Sequence, residues 1–117
     1  LPSIPGRNHI IETDHMIILD DCYNANPISM KASIDVLNMA IGRRVAVLGN
    51  MGELGDTAEV LHAEVGTYVA QQNVDLVCGI GDLTHALVEE ASRGTHTQAL
   101  WFADQPVWMH WIKFSNH

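Results

Sequence analysis

Residues 16–27 decide the fold, and they read Met16-Ile17-Ile18-Leu19-Asp20-Asp21-Cys22-Tyr23-Asn24-Ala25-Asn26-Pro27. The opening apolar run does not alternate with polar residues, which is typical of a strand covered on both faces. Asn26 and Pro27 predict a helix start, because Asn is a favoured N-cap and Pro fits the first helical position. Two carboxylates, a phenol and two amides therefore crowd one strand-to-helix turn. Because a cap needs only one polar residue and ligands bind at such turns in α/β sheets, we predict a binding site here.

Strand and helix patterns extend outward from this stretch. A short run at His9–Glu12 precedes residues 16–19 after a three-residue gap, which predicts a hairpin. The first helix should run from Pro27 to about residue 40, and Gly42 stands where a C-terminal cap belongs. Its predicted buried stripe has the i, i+4, i+7 and i+11 spacing of one helix face: Met30, Ile34, Leu37 and Ile41.

The alternation continues to the end of the chain. Three more strands are predicted at residues 44–48, 75–80 and Gln98–Phe102. The helix after the first of them should open at Asp56, with Glu59 completing a capping box. Asp82 is the expected cap of the next helix, Gly94 its stop, and a last helical piece should follow residues 104–106.

This alternation predicts one α/β domain over residues 1–117, with a mostly parallel sheet, right-handed crossovers and helices on both faces. We expect a Rossmann-like three-layer arrangement with a hairpin-like strand pair at its N-terminus. Residues 1–6 contain two prolines and a glycine, which suits a linker. The predicted parallel strands end in small or acidic residues, so these ends should form one crevice along one edge of the sheet.

Composition narrows the function classes. The 117 residues are 47% hydrophobic and 17% charged, which indicates a globular chain. A net charge of −8 disfavours nucleic-acid and anionic-membrane partners, and no apolar run approaches the roughly 20 residues of a membrane helix. The two cysteines are too few for a disulfide framework, so we expect a reduced, cytoplasmic protein.

Several catalytic motifs are absent from the sequence. It contains no P-loop, no nucleophile elbow and no zinc-ligand spacing. Gly79-Ile80-Gly81 follows a strand as a dinucleotide turn would, but Thr84 stands in place of the third glycine, so this match is weak. Asp20 and Asp21 are adjacent on an extended segment, so their side chains should point to opposite faces rather than act as a pair.

Four motifs together resemble the C-terminal domain of the Mur ligase family, in its branch that uses D-alanyl-D-alanine. They are Pro5-Gly6-Arg7, Asp20-Asp21-Cys22-Tyr23-Asn24-Ala25-Asn26-Pro27-x-Ser29-Met30-x-Ala32, Val47-Leu48-Gly49-Asn50-Met51-x-Glu53-Leu54-Gly55 and His62-x-x-Val65-Gly66. The resemblance implies a role in peptidoglycan precursor synthesis: ATP-dependent joining of D-alanyl-D-alanine to UDP-N-acetylmuramoyl-tripeptide through an acyl phosphate. It also implies that ATP and Mg²⁺ are held mainly by a central ligase domain, beside an N-terminal domain for the UDP-sugar.

The resemblance also implies roles for individual residues. Arg7 would contact the ATP phosphates, and Asp21 would lie near the nucleotide ribose. Asn24, Tyr23 and Asn26 would line the adenosine side of the ATP site. Asp20 would also belong to the residues that bind ATP. A loop on the dipeptide side would be shaped by Asn50, Glu53 and His62. From the residues alone, His62 lies one position off its helix's apolar stripe and is expected to be packed or half-exposed.

The chain also departs from the family pattern. Cys22 and Asn50 stand where the family commonly has serine and aspartate, and residues 104–117 lose the pattern. We therefore expect a domain truncated at both ends, without the family's last strand and helix, and inactive by itself. That truncation should leave an uncovered sheet edge or apolar patch near Trp108 and Trp111. Two alternatives remain open: a non-catalytic interaction module, and a small nucleotide-binding α/β module that uses the Gly79-Ile80-Gly81 turn.

Overall fold

A computed structural model describes residues 9–21 and 26–110 of the chain. Its strands are β1 His9–Glu12, β2 Met16–Asp21, β3 Arg43–Gly49, β4 Leu76–Ile80 and β5 Gln98–Phe102. Its helices are α1 Pro27–Asn38, α2 Ala58–Ala70 and α3 His85–Ala91. Short 3₁₀ turns at Gly55–Thr57 and Asp82–Thr84 lead into α2 and α3, and residues 107–110 are helical.

The five strands form one sheet in the order β1-β2-β3-β4-β5. The first pair is antiparallel and the other three pairs are parallel. The prediction of an α/β domain with an N-terminal hairpin is therefore confirmed, and β5 has the predicted bounds. Thr13 closes the hairpin, because its hydroxyl accepts hydrogen bonds from the backbone N–H groups of His15 and Met16.

The two faces of the sheet are covered unequally. Each step from β2 to β5 places the next parallel strand on the same side of the last, so right-handed crossovers bring α1, α2 and α3 to one face. That face holds the larger core, which includes Leu19, Ile34, Leu48 and Val77. The opposite face holds a smaller cluster, in which Met109 of the helical segment is buried. Helices therefore lie on both faces, as predicted, but the second face has only the short segment at residues 107–110.

The predicted stripe of the first helix is correct except at its last position. Met30, Ile34 and Leu37 are fully buried, whereas Ile41 is 93% exposed. The reason is that α1 ends at Asn38, so Ile41 lies beyond the helix and its i+11 spacing no longer places it on the buried face. Gly42, with φ of 115°, then turns the chain into β3.

The predicted caps of the second and third helices are wrong. A 3₁₀ turn precedes each helix, and the N-cap residues Thr57 and Thr84 make no capping hydrogen bond with their side chains. The Thr57 hydroxyl donates back to the carbonyl of Leu54 instead, at 2.6 Å. Asp82 is the first residue of its 3₁₀ turn, and its carboxylate accepts a hydrogen bond from Asn50. Local sequence patterns do not predict the contact between Asn50 and Asp82, which are far apart in the chain, or the bond from Thr57 to the preceding turn.

Close packing of α2 against α3 depends on Gly66. A Cβ atom at Gly66 would lie 2.1 Å from the carbonyl oxygen of Leu87, so only glycine allows the two backbones to come this close. On the other face of the sheet, Cys78 is buried, and burial raises the pKa of its thiol to about 11. In the described ranges, no helix combines the length and apolar character needed to cross a membrane.

We predict that Ile34→Ala lowers the free energy of unfolding by about 2–5 kcal/mol, because it leaves a cavity in a closed core. The matched change Ile41→Ala should alter it by no more than about 0.5 kcal/mol, because this side chain is 93% exposed. Urea denaturation of both variants measures the difference. Equal losses would show that Ile41 is buried after all.

Candidate functional site

The carboxyl ends of the parallel strands are level. Asp21 at the end of β2 pairs with Leu48, one residue before β3 ends. Gly49 pairs with Ile80, and Ile80 with Phe102, so β3, β4 and β5 end at the same height. This confirms the prediction that the strand ends share one edge. The candidate residues fall into two groups along it: one after β2, and one after β3 and β4.

In the first group, Asp20 and Asp21 lie on opposite faces of the sheet, as predicted. Asp20 lines a cavity on the second face together with Ile18, whereas Asp21, two residues after Leu19, lies on the face that the helices cover. Both carboxyl groups are buried, at 8% and 2% exposure, and both have interaction partners. Burying two aspartate side chains is costly unless they are well partnered, so this turn depends on those partners.

Asn26 caps α1. Its backbone is extended, and its side-chain Oδ1 accepts a hydrogen bond of 2.8 Å from the N–H of Ser29. The cap inferred from the sequence is confirmed, and the suggested contact of Asn26 with adenosine stays a prediction. The candidates Arg7, Tyr23 and Asn24 lie outside the described residues.

The second group is joined by Asn50. Its Nδ2 donates to the carboxylate of Asp82 at 3.0 Å, and its Oδ1 accepts from the N–H of Leu83 at 3.0 Å. The side chain also fills the space above Gly81, where a Cβ would lie 2.5 Å from Oδ1. We call this set of contacts, Asn50 with Gly81, Asp82 and Leu83, the Asn50 clasp. It fixes the loop after β3 to the turn after β4.

His62, on helix α2, contacts the same loop after β3. It is fully buried on α2, and its Nε2 accepts a hydrogen bond of 3.0 Å from the N–H of Met51. Its Nδ1 lies 2.6 Å from the carbonyl oxygen of Ala58, which can only accept. The ring is therefore neutral with its proton on Nδ1. His62 shapes the loop through the backbone, and its imidazole lies beneath the loop rather than on its surface.

Glu53 lies at the top of the loop. It is exposed and has a φ of 62°, a left-handed conformation that is uncommon for residues other than glycine. Strain of this kind persists only where the surroundings enforce it. Here the enforcing contacts are the Asn50 clasp at the start of the loop and the His62 bond at Met51. The predicted contact of this loop with a dipeptide stays a prediction.

Sequence reasoning missed the aromatic residues at this edge. The indole N–H of Trp101 donates to the carbonyl oxygen of Gly81 at 2.8 Å, and the Thr84 hydroxyl donates to the same oxygen at 2.7 Å. The His85 ring stacks on Trp101, with centroids 3.8 Å apart. The sequence did hold a signal for this contact. Trp101 lies one residue before the predicted end of β5, close to the turn that follows the neighbouring strand β4.

The side chains described at this edge are mainly polar. In ranges 9–21 and 26–110, no group of three or more His, Cys, Asp or Glu side chains is placed to hold a metal ion. What the edge offers is carboxylates, an amide clasp and a shaped loop. Carboxylates bind hydroxyl groups and amides bind polar ring edges, so the edge can orient a nucleotide or a small polar substrate.

Comparison with known proteins identifies the family. Residues 6–111 match the family described as "Mur ligase, glutamate ligase domain". A UDP-N-acetylmuramoyl-tripeptide–D-alanyl-D-alanine ligase from Haemophilus influenzae is 43% identical over 95 residues, which is 80% of this chain and 21% of that protein. The enzyme of the same name from Escherichia coli is 38% identical over 106 residues, 90% of this chain and 22% of that protein.

Comparison with solved structures gives the same family. A crystal structure of MurF from Acinetobacter baumannii superposes with a TM-score of 0.68 at 28% identity, covering 97% of this chain and 25% of that one. A second crystal structure of MurF from the same organism gives 0.66 at 34% identity and covers 80% of this chain. The chain thus spans about a fifth of the length of the curated relatives that it matches.

We predict that Asn50→Ala accelerates amide hydrogen exchange at Leu83 and lowers the free energy of unfolding by about 1–2 kcal/mol, because two partly exposed hydrogen bonds are lost. Asp82→Ala is the matched control, since it removes one bond of the clasp but leaves the acceptor of the Leu83 N–H in place. Unchanged exchange at Leu83 in Asn50→Ala would show that the clasp does not form in solution.

We predict that His62→Ala lowers the free energy of unfolding by about 2–4 kcal/mol, because it leaves a cavity and an unsatisfied Met51 N–H. Exchange at the Met51 amide should also increase. His96→Ala, at an exposed position, is the control and should have little effect. The tautomer is checked by long-range ¹H–¹⁵N spectra of the native protein, and a proton on Nε2 would contradict the assignment.

Proposed function

Because the chain belongs to the Mur ligase family, we propose that it is the C-terminal domain of an ATP-dependent ligase that joins D-alanyl-D-alanine to UDP-N-acetylmuramoyl-tripeptide. In this reaction the tripeptide carboxylate takes the γ-phosphoryl group of ATP, the dipeptide amine attacks the acyl phosphate, and phosphate leaves. The product is a peptidoglycan precursor. The proposed location is the cytoplasm, as the small number of cysteines suggested.

One observation carries the proposal. The range matched by the family, residues 6–111, contains every candidate residue, including Arg7, the turn after β2 and the loop after β3. Ligases that use the same two substrates match 80–90% of the chain at 38–43% identity. Similarity of this extent across both halves of the edge supports a shared substrate chemistry.

We assign the two groups at the edge to different parts of this reaction. Asp21, Asn26 and the residues around them would orient the nucleotide, with Asp20 buried on the opposite face of the sheet. Arg7 would contact the phosphates, since a guanidinium matches their geometry. The loop that carries Asn50 and Glu53, held by His62, would shape the dipeptide side. These roles follow from the family resemblance, together with the positions of those residues that the structure describes.

ATP and Mg²⁺ enter this proposal mainly through other domains. By the family resemblance, Mg²⁺ would be held mainly in the proposed central domain. ATP supplies the phosphoryl group that activates the carboxylate. The chain's own contribution is to orient the nucleotide and the dipeptide, and we propose that it is inactive without the N-terminal and central domains.

The alternative of a small nucleotide-binding module that uses the Gly79-Ile80-Gly81 turn is weaker. Phosphate binding at a glycine turn needs an open backbone that a ligand can approach. Here the carbonyl oxygen of Gly81 accepts from both Trp101 and Thr84, and the Asn50 side chain lies directly on its Cα. Protein atoms thus occupy the space above this turn. The other alternative, a non-catalytic interaction module, would act by docking and predicts no phosphate release in the domain exchange described next.

A domain exchange tests the proposal. We predict that a chimera carrying this chain in place of the matching domain of the Escherichia coli ligase releases phosphate only when D-alanyl-D-alanine is present. Arg7→Ala and Asp21→Asn should lower kcat/KM by about 10- to 100-fold, the effect of losing a hydrogen bond to a charged group. Arg93→Ala is the control, since its side chain is 70% exposed and should have no effect.

The outcomes separate clearly. A folded chimera that releases no phosphate with the dipeptide would contradict the substrate assignment. Normal activity in both Arg7→Ala and Asp21→Asn would still support the proposed ligase function, but it would show that these two residues are not part of the site.

A further inference from the structure

Strand β5 is the last strand in the order of the sheet. Within the part of the chain that the structure describes, β5 pairs with β4 alone. Its residues, Gln98–Phe102, include no charged side chain and no proline, the features that commonly keep an edge strand from pairing with another chain. Leu100, in the middle of the strand, is 38% exposed. The strand therefore lacks the usual protection against pairing with a further strand.

The backbone of β5 presents alternate residues to its two sides. The N–H of Gln98 donates to the carbonyl oxygen of the residue just before β4, at 2.9 Å. The carbonyl oxygen of Phe102 accepts from the N–H of the residue just after β4, also at 2.9 Å. Because the direction of backbone groups alternates along a strand, the N–H and carbonyl groups of Ala99 and Trp101 point away from β4. These four groups are the ones that a further strand would bind.

An antiparallel copy of the same strand satisfies all four groups. We propose that two copies of this chain pair through β5, with Leu100 of each copy at the twofold axis. In this register Ala99 of one copy lies opposite Trp101 of the second copy, and the two residues exchange both backbone hydrogen bonds. The two Leu100 residues form a non-hydrogen-bonded pair, in which the side chains are closest.

The residues that flank the strand favour this register. His96 and Asp104 lie four residues on either side of Leu100, and both are exposed. Antiparallel pairing about Leu100 brings His96 of one copy level with Asp104 of the second copy, so that an imidazole N–H can donate to a carboxylate. The chain has a net charge of −8, and the uncharged β5 lets two copies approach without setting like charges opposite each other.

The rest of the fold is compatible with this pairing. Helix α3 packs against both β4 and β5. In the pair of copies, the two α3 helices would be separated by two strand spacings, or about 10 Å, which is the distance between packed helices. Pairing extends the sheet sideways, whereas the candidate site lies at the carboxyl ends of the strands. The pairing is therefore independent of the proposed ligase function.

Hydrogen exchange within β5 tests the proposal. The amides of Ala99 and Trp101 should exchange at least about tenfold more slowly at about 1 mM protein than at about 20 µM, because only the pair of copies protects them. The amides of Gln98 and Phe102 are the internal control. They face β4 and should be protected at both concentrations. Exchange at Ala99 and Trp101 that does not depend on concentration would overturn the proposal.

Disulfide trapping tests the register. Cys22 and Cys78 are first replaced by Ser, because Cys78 lies beside Leu100 in the pairing of β4 with β5. In that chain, Leu100→Cys should form a disulfide-linked dimer on mild oxidation, since the Cα atoms of such a pair are about 4.5 Å apart. Gln98→Cys is the matched control, because its two copies would lie about 14 Å apart along the strands. Equal dimer yields in the two variants would contradict the register.

Sedimentation equilibrium supplies an independent test. The mass of the native chain should rise from that of one copy toward that of two as the concentration increases. Leu100→Asp should raise the dissociation constant at least about tenfold, because a leucine contact is lost and two carboxylates face each other. Ile41→Asp adds the same charge at a 93% exposed position outside β5 and should leave the constant unchanged.

Circular dichroism at low concentration checks that both aspartate variants are folded. A native chain that stays a single copy at every concentration would overturn the proposal. Equal dissociation constants in Leu100→Asp and Ile41→Asp would show that two copies associate through another surface, which would also overturn it.

Discussion

Parallel pairing of β2, β3, β4 and β5 in chain order is the constraint on which the rest of this structure depends. Parallel neighbours require crossovers, and crossovers are right-handed, so a sheet that always grows in one direction receives all its crossover helices on one face. The same pairing brings the carboxyl ends of the strands to one height. One constraint thus produces a well-covered face, a poorly covered face and a shared polar edge.

The polar edge is shaped by contacts between loops rather than by the strands alone. Asn50 joins the loop after β3 to the turn after β4, and His62 holds the first of these from helix α2. Both residues act on backbone N–H groups, whose direction determines the path of a loop. Glu53, in the same loop, has a left-handed backbone, a conformation that is uncommon for residues other than glycine. A loop held in this way keeps one conformation, which is what preorganisation for a ligand requires.

The chain belongs to the Mur ligase family, and in our proposal its polar edge contributes to a larger ligase. In this proposal the domain orients the nucleotide and the dipeptide, and other domains supply most of the phosphate contacts and the cation site.

The sequence by itself determined the class of each element, the hairpin, the bounds of β5, the opposite orientation of Asp20 and Asp21, and the family. These features depend on residues close together in the chain: hydrophobic period, turn chemistry and short motifs. Only the tertiary structure decided that Ile41 is exposed, that Asp82 pairs with Asn50 rather than capping a helix, and that His62 is buried with both nitrogens bonded. Each of these depends on where a helix ends or on a partner from another part of the fold, and local patterns carry no information about such partners.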